Sequence, residues 1–75
     1  MNMKNVDKVK IGSKIYEIRG TRSMDEFAEL IGVSKSSINS YEKGIMTPRK
    51  KVIEKIISLS SNPNQTIEEF LFGSP

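Results

Sequence analysis

The stretch that most constrains this chain is residues 26–44, EFAELIGVSKSSINSYEKG. It reads as two short helices interrupted at IGVS. Ser23 opens the first, because SMDE is a capping box: the Ser23 hydroxyl accepts from the amide of Glu26, whose carboxylate reaches back to the amide of Ser23. This helix is predicted over Met24–Ile31, with Phe27, Ala28 and Ile31 inward. Gly32 ends it, where a left-handed backbone costs little. Ser34 is the next N-cap. It starts a helix predicted over 35–43, with Ile38 and Tyr41 inward and Gly44 as its stop. A connection of three or four residues makes the two helices cross steeply. Ala28 is small because the crossing helix comes close. The second helix is too polar for a core element, and Lys35, Ser36, Ser37, Asn39, Ser40 and Lys43 are left facing outward.

The rest of the chain shows no strand alternation, and its apolar residues recur at helical spacing. Val6, Ile11, Ile15 and Ile18 mark a first helix ending near Gly20, after which RGT supplies a turn. GIMT is a loop. Thr47 as N-cap and Pro48 in the first turn open a fourth helix that buries Val52, Ile53, Ile56, Ile57 and Leu59. SSNPNQ is a breaker. TIEE is a second capping box, opening a short fifth helix with Ile67, Phe70 and Leu71 that Gly73 closes. The fold class is therefore all-α, five short helices in one domain over residues 11–73. A basic N-terminal arm (1–10) precedes it and a short tail (74–75) follows. At 75 residues the buried fraction is modest, so stability rests on a compact core. Phe70, Leu71 and Phe72 are consecutive, and one short helix does not bury all three. Phe72 is expected at a dimer interface.

The chain has no Cys and no His. That removes disulfides, thiol nucleophiles, the usual zinc ligands and the commonest general base. With no phosphate-cradling glycine loop and no evident carboxylate cluster, no enzyme activity, cofactor or metal is expected. No apolar run approaches the ~20 residues of a membrane span. The N-terminus lacks an apolar segment of signal-peptide length. Twelve basic residues oppose nine acidic ones, a net charge of +3. Their distribution says more than the sum. Lys4, Lys8, Lys10 and Lys14 crowd the N-terminus, and Arg49, Lys50 and Lys51 form a second cluster. Such patches suit a polyanion, and nucleic acid is the usual one.

The stretches IGSKIYEIRG, DEFAELIGVSKSSINSYEKG, TP and TIEEFLFG together resemble the Cro and phage-repressor type of helix-turn-helix domain, also called XRE-type. The resemblance runs from residue 11 to residue 73. Its most specific part is Ala28, Gly32, Ser34, Ile38, Glu42 and Gly44 at these spacings. It implies a lambda-repressor-like five-helix fold, with the third helix placed in the major groove of DNA by a dimer on a near-palindrome. It also implies a pairing of Arg19 with Glu42, which would serve geometry more than net stability. The cytoplasm of a bacterial host cell is the expected location.

On this reading Lys35, Ser36, Ser37, Asn39 and Ser40 are the base-reading residues, with Asn39 and Ser37 foremost. Asn makes a bidentate contact to adenine, Lys donates to guanine, and Ser meets several bases. Lys14, Arg22, Ser34, Lys43, Arg49 and Lys50 are the phosphate contacts, which position the protein without specifying sequence. Three features depart from the family. Met24 stands where Gln is frequent, Ile45 and Met46 occupy a loop that is often basic, and RGTRS shortens the turn between the first two helices. The leading expectation is a Cro-like transcriptional regulator with no effector domain, acting by steric occupation of an operator. The alternative is an antirepressor that binds another protein, such as a phage repressor, through Met24, Ile45 and Met46. Exposed apolar patches tend to be interfaces, and Met adapts to varied partners.

Overall fold

The computed structural model describes residues 7–73. Lys4 and Val6, most of the basic arm, and the tail at 74–75 lie outside the described residues. Five helices follow one another: α1 Lys8–Arg19, α2 Met24–Ile31, α3 Lys35–Glu42, α4 Lys50–Ser58 and α5 Ile67–Phe72. No strand occurs among the described residues.

Both capping boxes form as the sequence dictates. Ser23 Oγ accepts from the Glu26 amide at 3.0 Å while Glu26 accepts from the Ser23 amide. Thr66 and Glu69 do the same at the start of α5. Gly32 adopts the left-handed conformation (φ 84°, ψ 33°) and its amide returns to the Ala28 carbonyl at 2.8 Å. Only three residues then separate α2 from α3, and the second helix crosses the first.

The helices close on one core of Ile11, Ile15, Phe27, Ala28, Ile31, Ile38, Tyr41, Ile53, Ile56, Ile57 and Phe70. Met24, Val52, Leu59, Ile67 and Leu71 are half-buried against it. Full burial of one such side chain contributes about 1.5–3 kcal/mol, so Ile38 and Tyr41 together hold α3 firmly by its inner side. A close approach adds to this. A Cβ on Gly12 would stand 2.6 Å from the Tyr41 carbonyl oxygen and 2.7 Å from that of Glu42. Only glycine lets the α1 backbone lie directly against the last turn of α3.

Besides α3, which ends at Glu42 with Lys43 as its C-cap, two helix starts differ from the sequence reading. The first helix starts at Lys8, so residues 8–10 belong to α1 and not to the arm. Asp7 is the reason: its Oδ1 accepts from the amides of Val9 and Lys10, both at 3.1 Å. The fourth helix starts at Lys50, with Arg49 as an N-cap that makes no side-chain bond. Thr47 does not cap it and Pro48 is not in its first turn. Pro48 is itself buried, so the chain is fixed there in extended form and turns into helix only after Arg49.

Candidate nucleic-acid interface

The exposed side of α3 is set by what its other side must do. At about 100° per residue, Ile38 and Tyr41 define the core direction, and Ser36, Asn39, Ser40 and Lys43 fall opposite. Lys35 lies at the margin, 4.0 Å from Asp25 at the start of α2, with both side chains mostly in water. An exposed pair at that distance contributes little. Ser34 caps α3 through the Ser37 amide at 3.1 Å, and its hydroxyl donates to Ser37 Oγ at 3.0 Å. Ser37 therefore lies on the flank, off the outer face, although it is no more buried than Asn39 or Ser40, all three being half-buried. Of the two serine and asparagine residues placed foremost by sequence, Asn39 is the one on that face.

Glu42 fixes the rotation of α3. Arg19 Nε donates to its Oε2 at 2.7 Å and Nη2 to its Oε1 at 3.0 Å, while Nη1 donates to the Arg22 carbonyl at 2.9 Å. The guanidinium thus ties α1, the following turn and α3 in one plane of bonds, and it lies 5.3 Å from the centre of the Tyr16 ring. The Arg19–Glu42 pairing that the family resemblance implies is present.

The phosphate candidates separate into two groups. Lys14 and Arg22 are half-buried and bonded within the protein. Lys14 Nζ donates to the Phe70 carbonyl at 2.6 Å and sits 5.5 Å from the centre of the Phe70 ring. α1 meets α3 through Gly12 and α5 through Lys14, so this lysine serves the α5 side of the molecule. Arg22 Nη1 donates to the Ile18 carbonyl at 3.2 Å, folding back onto its own turn. In both, the charged end is bonded to a backbone carbonyl of the protein itself.

Lys43, Arg49 and Lys50 are exposed, as is Lys51, and among the described residues none has an ion-pair partner. The start of α4 is unusual in its electrostatics. Its first amides lack a side-chain cap, and its first turn holds Lys50 and Lys51 with no acidic residue. The positive pole of a helix carries the equivalent of about half an elementary charge, so three cations beside it repel one another and attract an anion. The start of α2 is the opposite case, closed by its capping box and bearing Asp25 and Glu26. A hollow between the α2–α3 turn and the loop before α4 is lined by Ser34, Ser37, Tyr41, Met46, Thr47 and Arg49. Ser34 and Arg49 thus share one recess with the flank of α3.

The three apolar departures also separate. Met24 packs on the core. Met46 lines the hollow beside Tyr41 and remains 41% exposed. Ile45 is 63% exposed. Phe72 is 47% exposed at the far end, on α5. The sequence reading put Lys51 in the second basic cluster but not among the phosphate contacts, and placed Lys8 on an arm. In the structure Lys8 stands in the first turn of α1, next to Val9, whose backbone and side chain lie against Gly44 at the end of α3.

With this geometry in place, the comparison with known families is specific. The family model HTH_3, described as helix-turn-helix, matches residues 15–59. That span holds the end of α1, both crossing helices and α4. No curated protein shows a significant match. Among the described residues no helix is long and apolar enough to cross a membrane.

Proposed function

The chain belongs to the helix-turn-helix family of the Cro and phage-repressor, XRE type, and from that premise we propose that it is a sequence-specific DNA-binding transcriptional regulator, Cro-like and acting as a repressor. The observation that carries this reading is α3 itself. Its inner side is held by Ile38, Tyr41 and the Arg19–Glu42 bonds, while its outer side offers Ser36, Asn39, Ser40 and Lys43 with no partner in the protein's core. In the proposed complex α3 enters the major groove. Asn39 pairs with adenine, and Lys35, Ser36 and Ser40 meet neighbouring base edges, with Ser37 at the flank. Ser34, Lys43, Arg49 and Lys50 hold phosphates on either side. A homodimer formed through α5, with Phe72 in the contact, sets two copies of α3 about 34 Å apart on a near-palindromic operator. Repression follows from steric occupation of that site.

The test is selection from a random duplex pool by the purified chain at near-physiological salt, followed by sequencing of what is retained. A shared near-palindrome is the expected result. A second reading has one observation in its favour, the exposure of Ile45 and Met46 beside α3. It makes the chain an antirepressor that holds a protein partner, such as a phage repressor, by this loop. Retention of no shared site would favour it over the first.

A further inference from the structure

Ile45 is exposed in a place where exposure has no structural purpose. It follows α3 directly, and its amide donates to the Ser40 carbonyl at 2.9 Å, on the turn that carries the outer face of the helix. Gly44 before it is braced against Val9: a Cβ on Gly44 would lie 3.1 Å from Val9 Cγ2 and 3.2 Å from its Cα. The loop therefore has little room to fold Ile45 back onto the core. Next to it in the chain Met46 turns toward the hollow beside Tyr41 while staying 41% exposed, and Lys43, Thr47 and Arg49 are charged or polar. A protein partner of standard size buries ~800 Å² on each side, with an apolar centre. Ile45, Met46 and Val9 are the exposed apolar side chains here, and three of them beside Lys43 and Arg49 fall well short of that centre. In the major groove of DNA each base pair presents polar edges, and the apolar exception is the C5-methyl group of thymine.

We propose that Ile45 is a specificity-determining residue that packs on a thymine C5-methyl in each operator half-site, at the end read by the last turn of α3. This rests on the DNA-binding reading above and adds to it a base identity that the polar face of α3 does not specify. Replacing thymine by deoxyuridine removes that methyl and leaves every hydrogen bond in place, so the test needs no change in the protein. The full chain is used to select its duplex from a random pool. Each thymine of the selected site is then replaced in turn by deoxyuridine, and Kd is measured for the chain and for Ile45→Ala. The expected result is one thymine in each half-site whose replacement weakens binding by about fourfold, the scale of one buried methyl group. With Ile45→Ala that loss disappears. A selected site whose affinity is unchanged by every such replacement overturns the assignment and leaves the DNA-binding reading standing. So does a loss of equal size in Ile45→Ala. A pool that yields no shared site overturns both.

Discussion

At Gly12 a single hydrogen atom decides how closely α1 lies on α3. The atoms a methyl group would meet are the carbonyl oxygens of Tyr41 and Glu42, both backbone, and neither moves without moving the last turn of α3. Gly12→Ala is therefore expected to lower stability by about 1–3 kcal/mol, the range for overpacking, despite alanine's better helix propensity. Thermal denaturation checks this, and an unchanged Tm would show that the two helices are not in contact there. Arg19 and Glu42 make a second argument at this scale. Glu42 is 7% and Arg19 14% exposed, so removing the carboxylate strands a largely buried cation. Glu42→Ala is expected to cost about 3 kcal/mol, at the lower end for a buried pair because Arg19 keeps its bond to the Arg22 carbonyl. The double replacement Arg19→Met with Glu42→Leu should recover most of that loss, measured by urea denaturation. The Glu42 hydrogen bond raises the Arg19 pKa, outweighing the lowering effect of burial. A raised folded-state value gives stability that disappears only as pH rises through it. Because an arginine side chain ordinarily keeps its charge far into the alkaline range, this pair contributes no loss of stability across neutral and mildly alkaline pH.

The helices show which sequence signals are local and which are not. α5 has six residues, too few to persist alone, and is held by its capping box, by Phe70 and by Lys14 from α1. Lys14→Met is expected to speed amide exchange across 67–72 while leaving affinity for a selected duplex unchanged. A weakened affinity with unchanged exchange would return Lys14 to the phosphate contacts. α4 poses the reverse case, a helix start that lacks a cap and carries like charges. Arg49→Ser supplies a cap and removes a cation, so it is expected to raise stability by about 0.5–1 kcal/mol. It is also expected to weaken DNA binding at all sequences alike, a conflict characteristic of functional positions. Denaturation and a Kd on two unrelated duplexes check the pair of outcomes. The two capping boxes, Gly32 and Ser34 were readable because each acts within four residues of itself. The start of α4 was not, because the burial of Pro48 is a tertiary fact that the TP dipeptide does not carry. Nor was the fate of Lys14, whose partner lies 56 residues away. The polar face of α3 was legible from Ile38 and Tyr41 alone. The engagement of the Ser37 hydroxyl depended on its bonds with Ser34.

At the scale of the whole molecule, a net charge of +3 is too small to bind a duplex by itself, so placement of the cations decides affinity. Arg19, Lys14 and Arg22 are spent on internal bonds. Asp25 and Glu26 stand at the start of α2, where a phosphate would otherwise be welcome. What remains near α3, besides Lys35 on the helix itself, is Lys43, Arg49 and Lys50, the three cationic phosphate contacts proposed for each protomer. Each contact releases counterions, and the slope of log K against log salt is about −0.9 for each one on duplex DNA. A single protomer should then give a slope near −3 and a dimer one of about −5. Isotherms on the selected operator and on an isolated half-site, taken at several salt concentrations, separate the two. The operator is expected to show the steeper value and the half-site the shallower one. Arg49→Ser should flatten the operator slope by about two, since a dimer loses two contacts at once. Equal slopes on both duplexes would mean that one protomer binds alone. The exposed Phe72 on α5 would then have no role in assembling the complex.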